Sequence, residues 1–130
     1  MHKILTLVAC CLFVGCGDRI QSDLSDLEKY PWVATFTLGG REFSKIEHNL
    51  DTGRYAFSFR SDYPADEYFS IVDVHAKKQG WVIARTSGCA KRFERPSTIF
   101  PAATGKDLVS IEYRDGGRII LEYRPNVMAD

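Results

Sequence analysis

Apolar and polar residues alternate along much of the chain. The alternation predicts strands over residues 31–38 and 54–60, where aromatic and β-branched side chains take many of the apolar positions. Residues 81–86 also have the composition of a strand. Residues 41–50 fit either a second short strand or one face of a short helix. The strand is slightly preferred, because turn residues bound this segment on both sides.

A helix is predicted over residues 64–79, where apolar side chains recur at intervals of three and four. Its apolar stripe comprises Tyr68, Phe69, Val72 and Ala76. Pro64 suits the first turn of a helix, and Gly80 suits a left-handed end. Acidic residues in the first turn and lysines in the last complement the helix dipole.

Residues 108–124 have the pattern of a β-hairpin whose register can be predicted. A three-residue loop, 115–117, pairs residue 113 with 119, 111 with 121 and 109 with 123, so that apolar side chains meet on one face. A two-residue loop would slip the register by one and place apolar side chains opposite polar ones. Strands with one wet face and a single main helix predict a small two-layer α+β domain, mainly an antiparallel sheet packed on that helix.

The chain begins with a short basic start and an apolar run over residues 4–14, followed by Gly15 and Cys16. The run is too short to span a bilayer and has the layout of a secretory signal peptide. The segment resembles the lipobox signal of bacterial lipoprotein precursors, although Phe13 stands where that class prefers Leu. The resemblance implies removal of the peptide before Cys16 and acylation of this cysteine, hence a membrane anchor. The alternatives are an ordinary signal peptide and a structural segment.

This interpretation divides the chain into a removed signal peptide (1–15), a lipidated N-terminus with a tether (16–29) and one globular domain (30–130). In the lipoprotein class, Asp directly after the lipidated cysteine tends to retain the protein in the inner membrane. Gly17 occupies that position here. The resemblance therefore implies the outer membrane, facing the periplasm, if the source is Gram-negative.

Net charge and cysteine content limit the kinds of molecule that the mature chain is expected to bind. The 17 basic and 17 acidic residues become 16 and 17 when Lys3 leaves with the signal, giving a net charge near −1. This balance argues against nucleic acid as a partner. Cys10 and Cys11 leave as well, and Cys16 would carry lipid, so Cys89 stays as the thiol of the mature chain. It is interpreted as a buried small hydrophobe, with an exposed pairing thiol or a nucleophile as alternatives.

Candidate catalytic and metal-binding residues are few. Glu47, His48 and Asp51 lie close together but lack the spacing of a metal site, and they are interpreted as residues beside a turn. His75 lies two residues after Asp73 and is interpreted as a histidine at the edge of the core, with a general base as the alternative. We predict no catalytic residue, no metal site and no cofactor.

One basic cluster is retained as a candidate binding site. Residues 88–106 show no regular pattern and are expected to form a long loop, of the kind that is often functional. The candidate binding residues in this loop and on the strand before it are Arg85, Lys91, Arg92, Phe93 and Arg95. Such a surface could bind an acidic protein, a phosphate group or a lipid headgroup. The alternative is a solvated loop whose charges aid solubility.

Two functional classes follow. The first is a non-catalytic envelope lipoprotein that binds a protein partner, as immunity proteins, inhibitors and assembly accessories do. The second is a small tethered hydrolase acting on cell-envelope material. The first is preferred because no catalytic set can be identified in the sequence, although catalytic residues can also assemble from distant segments.

Overall fold

A computed structural model of the chain describes residues 19–97 and 105–127, and residues 19–22 are described by their backbone alone. The predicted signal peptide, Cys16 and the part of the predicted loop over 98–104 lie outside the described residues. The strands are β1 (Arg19–Ser22), β2 (Gly40–Arg41), β3 (Ile46–Asn49), β4 (Arg54–Ser61), β5 (Val82–Ser87), β6 (Ala90–Pro96), β7 (Lys106–Arg114) and β8 (Arg118–Val127). The α-helices are α1 (Pro31–Phe36) and α2 (Ala65–Lys78), and short 3₁₀ turns span Leu24–Asp26 and Asp115–Gly117.

One antiparallel sheet organises the described chain. Its strands lie in the order β1-β3-β4-β8-β7-β6-β5, and the short β2 pairs with β4. Both helices pack on one face, called here the inner face, and the opposite face is called the outer face. The Tyr68 hydroxyl on α2 donates a hydrogen bond of 2.6 Å to the Phe36 carbonyl on α1. The predicted α+β class, with a mainly antiparallel sheet and one main helix, is therefore confirmed.

The long helix matches its prediction closely. It covers Ala65–Lys78, with Pro64 as the N-cap, and buries Tyr68, Val72 and Ala76 of the predicted stripe. Gly80 follows the helix with φ of +88°, a left-handed conformation that suits glycine at a helix end.

The C-terminal hairpin has the predicted register. Residues 115–117 form its loop, and Tyr113 pairs with Ile119, as the three-residue loop requires. The pairs of residues 111 with 121 and 109 with 123 follow. Strands over 54–60 and 81–86 are also present, as β4 and β5, and the preferred strand within 41–50 is β3.

The strand predicted over 31–38 is wrong, because this segment contains the helix α1. Trp32 and Phe36 are four residues apart, which places them on one face of a helix as well as on one face of a strand. Pro31 occupies the first turn, where its missing N–H costs nothing. The hydroxyls of Thr35 and Thr37 donate to carbonyls four residues earlier, so these β-branched residues are accommodated in helical geometry.

The long irregular loop predicted over 88–106 is also wrong in part, because residues 90–96 form β6 between β5 and β7. The inner face of this strand carries a single apolar side chain, Phe93, between Lys91 and Arg95. The alternation was therefore masked in the sequence, since two of three inner positions hold cations.

Much of the predicted tether, 16–29, belongs to the fold. Residues 19–22 pair with β3 as strand β1. A 3₁₀ turn follows, in which the Asp26 carboxylate accepts a hydrogen bond of 3.1 Å from the Asp23 N–H. Leu27 is buried in the core. The described chain thus enters the domain at Arg19.

Candidate functional site

Strand β6 divides the predicted basic cluster between the two faces of the sheet. Successive side chains of a strand point to opposite faces. Lys91, Phe93 and Arg95 lie on the inner face, against the helices, whereas Arg92 lies on the outer face. Arg85 on β5 pairs with Arg92 and lines the same outer surface. The five residues therefore form two groups rather than one patch.

Phe93 belongs to the hydrophobic core. Its side chain is 1% exposed, and its ring lies 5.1 Å from the ring of Phe36 on α1. No part of this side chain is presented to a partner.

Lys91 is held on α2 by an ion pair and by an aromatic ring. Its Nζ lies 2.7 Å from Asp73 Oδ2, and it stands 5.1 Å from the centre of the Phe69 ring. The side chain is 16% exposed, which strengthens the pair relative to one in open water. The pairing also accounts for Asp73, which the sequence had placed beside His75 as a possible catalytic neighbour.

Arg95 is fixed in a similar way at the other end of the strand. Its guanidinium carbon lies 4.3 Å from the centre of the Trp81 ring, a cation–π contact. Its Nε lies 3.7 Å from Asp107 Oδ2, and Asp107 is 1% exposed. The second oxygen of Asp107 accepts a hydrogen bond of 2.9 Å from the Asn126 N–H. Asp107 was missed in the sequence because it stands just before the predicted hairpin.

The outer face of the sheet holds a groove of about 390 Å³, called here the outer groove. Side chains of five strands, β4, β8, β7, β6 and β5, line it. Those used below are Arg54, Ala56, Arg85, Arg92, Ile120 and Glu122. It combines apolar side chains with charges of both signs, which suits recognition of a partly charged segment.

Most charges in the outer groove are paired within the protein. Arg54 forms an ion pair with Glu122, and Glu112 lies 3.0 Å from Arg114. Arg85 and Arg92 stand directly opposite each other across β5 and β6. Within residues 19–97 and 105–127, neither of these two arginines has a salt-bridge partner.

Facing arginines cost free energy, because like charges directly opposite in a sheet repel. Arg114 and Arg118 also face each other, at the far end of the outer face. There one of the two charges is neutralised, because Arg114 pairs with Glu112, while Arg118 donates to the uncharged Ser58 hydroxyl at 3.4 Å. The pair formed by Arg85 and Arg92 differs because neither arginine has an acidic partner among the described residues, so both guanidinium groups are available to an external anion.

An aromatic cleft of about 400 Å³ opens on the inner side of the sheet, between α1 and the β3–β4 hairpin. Tyr30, Trp32, His48, Tyr55 and Tyr123 supply its rings. Trp32 stacks on Tyr123 with centroids 4.3 Å apart, and His48 stacks on Tyr55 at 4.0 Å. The cleft is thus walled by rings that already contact one another.

Burial shifts the titration of two groups in this cleft. It lowers the pKa of His48, because the charged imidazolium is less well solvated there. Burial also raises the pKa of Tyr123, and the neighbouring Asp107 adds to this shift. Both groups are therefore neutral in the folded protein at neutral pH.

The other candidate residues do not assemble into a site. Glu47 and His48 are successive residues of β3 and so point to opposite faces of the sheet. Among the described residues, no group of three His, Cys, Asp or Glu side chains has the placement to hold a metal ion. Cys89, expected to be buried, is exposed at the turn between β5 and β6.

Comparisons of the chain with protein-family models, curated proteins and solved structures found no match. None of the helices in the described part of the chain has the length and apolar content needed to cross a membrane.

Proposed function

We propose that the protein is a membrane-anchored lipoprotein of the bacterial envelope that binds an acidic segment of a partner protein in the outer groove. Two parts of this proposal have separate support. The anchor is supported by the apolar run and the Gly15–Cys16 junction. The binding role is supported by the facing arginines of the groove, Arg85 and Arg92.

The single observation that carries the binding role is the pair of opposed arginines without an internal counter-ion. Guanidinium groups form two parallel hydrogen bonds to a carboxylate, which gives both affinity and orientation. Two such groups on neighbouring strands would receive carboxylates spaced along an extended segment. Ala56 on β4 and Ile120 on β8 supply apolar surface further along the same groove.

The role is proposed as non-catalytic binding, of the kind needed in an immunity, inhibitor or accessory protein. Contacts of exposed arginines mainly raise the association rate, and they weaken as salt increases. Capture of the partner should therefore be strongest at low ionic strength.

The proposal is tested by charge reversal in the outer groove. The variant Arg85→Glu/Arg92→Glu should lose capture of the stoichiometric partner that wild-type protein retains from detergent-solubilised envelope. Folding should change little, since exposed substitutions usually shift stability by less than about 0.5 kcal/mol. Affinity capture followed by mass spectrometry, with thermal unfolding in parallel, measures both.

A matched control carries the same change in charge elsewhere. Lys77→Glu/Lys78→Glu reverses two exposed cations at the end of α2, away from the outer face. This variant should capture the partner as wild type does. Equal capture by all three proteins at low salt would refute a binding role for the arginine pair.

A further inference from the structure

The first described strand fixes where a lipid on Cys16 would attach to the domain. Strand β1 runs antiparallel to β3, with Arg19 opposite Asn49. Cys16 precedes Arg19 by three residues, and an extended chain advances at most about 3.5 Å per residue. At most about 11 Å of chain thus separates the two residues, so a lipid on Cys16 would hold the membrane near the Arg19 end of β1. An extended tether of some twelve residues, as the sequence predicted, would have let the domain stand roughly 40 Å from Cys16.

That end of the sheet carries an exposed hydrophobic side chain on an ordered turn. Leu50 follows Asn49 in the β3–β4 turn and is 52% exposed. The Asn49 side-chain oxygen accepts hydrogen bonds from the N–H groups of Asp51 and Thr52, at 2.9 and 3.2 Å. The turn therefore presents Leu50 in a fixed position beside the attachment point.

The sheet register places other exposed apolar residues at the same end. The row of paired residues that contains Tyr55 runs through Tyr123, Val109 and Phe93 to Ile83. Ile83 and its neighbour Val82 are 48% and 58% exposed. Of the four large hydrophobic side chains exposed among the described residues, three thus lie in this half of the sheet, and the fourth, Val74, lies on α2.

Charge at this end also suits an anionic lipid surface. The C-terminal end of α2 lies here, because Arg95 stands among the last paired residues of β6, at this end of the sheet, and its Nη1 donates to the Gln79 carbonyl at 3.5 Å. Exposed basic residues at this end include Lys29, Lys77, Lys78 and Arg124, together with Lys106, which pairs with Glu94. Two exposed acids at this end are Glu28 and Asp51. The excess of cations would attract anionic headgroups.

We propose that the β3–β4 turn and the adjoining end of the sheet lie against the lipid headgroups, with Leu50 in contact with the membrane. This orientation rests on the lipidation of Cys16 in the proposed function, and it is independent of the partner in the outer groove. The opposite end of the sheet, with Cys89 and the loop Asp115–Gly117, then points away from the membrane.

The two ends can be compared with one reporter thiol each. Cys89 is the thiol left in the mature wild-type chain once Cys16 carries lipid, and it lies beside Tyr113 at the far end. Leu50→Cys in a Cys89→Ser background moves the thiol to the near end. Both positions are exposed, so labelling should leave the fold intact.

The experiment uses the lipidated proteins in vesicles of phosphatidylethanolamine and phosphatidylglycerol that contain a headgroup spin-labelled lipid. An environment-sensitive dye at position 50 should shift to shorter wavelength and be quenched several-fold more than the same dye on Cys89. The Cys16→Ser forms of both proteins, which lack the anchor, should show neither change.

The outcomes separate the anchor from the orientation. Mass spectrometry and vesicle flotation report lipidation and membrane binding directly. Equal quenching of both dyes on a lipidated, vesicle-bound protein would overturn the orientation and leave the anchor intact. A wild-type protein without lipid on Cys16 would overturn both, while partner capture by the outer groove would still be tested separately.

Discussion

The cations on the two faces of the sheet differ in whether they have partners within the protein. On the inner face, Lys91 is paired with Asp73, and Arg95 is stacked on Trp81 near Asp107. On the outer face, Arg92 faces another arginine and has no salt-bridge partner among the described residues. Lys91 and Arg95 thus stabilise the fold, whereas Arg92, which lies between them in the sequence, is available for binding. A basic run in a strand is not a basic surface, because the pleat divides it.

Removing the Phe93 ring should lower the unfolding free energy more than any other change considered on the inner face. Phe93→Ala deletes a ring that is 1% exposed and packed on Phe36, which should cost about 3–5 kcal/mol in unfolding free energy. Since domains of this kind are stable by about 5–15 kcal/mol, much of the stability would be lost. Urea denaturation measures the change. A loss below about 1 kcal/mol would show that Phe93 is not a core residue.

Removing the Lys91 charge should have a smaller effect on stability. Lys91→Met keeps most of the stem but leaves Asp73 without its cation, at a cost of about 1 kcal/mol for a partly buried pair. The matched control Arg92→Met, one residue along, should stay within about 0.5 kcal/mol of wild type. Thermal unfolding compares them, and equal losses would contradict the assignment of the two residues to different faces.

A histidine on the inner face should give a small pH dependence. Because burial lowers the pKa of His48, the unfolded chain binds more protons than the folded one as pH falls through the ordinary histidine value of about 6.5. Stability from this group is therefore present at neutral pH and decreases on acidification. In the variant His48→Gln, the unfolding free energy should fall less than in wild type when the pH is lowered from neutral to about 5.5, one unit below the ordinary pKa of histidine. An identical change in unfolding free energy with pH in wild type and variant would exclude this contribution.

Sequence patterns predicted the elements whose buried face is apolar. The hairpin register followed from three apolar pairs, and α2 from a stripe that includes Val72. Strand β6 was missed because tertiary partners, Asp73 and Asp107, make cations acceptable on its inner face. Helix α1 was missed because six residues with two large apolar side chains four apart fit both periods.

The candidate site was predicted only in part for a related reason. Arg85 and Arg92 were identified by charge, but their separation from Lys91 and Arg95 depends on pairing between strands. The outer groove draws on five strands, so no local pattern in the sequence contains it.

The most direct test of the account is the affinity of the outer groove for a defined acidic segment. The probe is a fluorescent peptide of alternating Glu and Val, whose carboxylates share one side when the peptide is extended. Fluorescence anisotropy should show binding to wild type and to Lys77→Glu/Lys78→Glu at low salt, weakening as salt rises. Arg85→Glu/Arg92→Glu should show no binding under the same conditions. Equal binding by the double groove variant and wild type would contradict the claim that the facing arginines form the binding site.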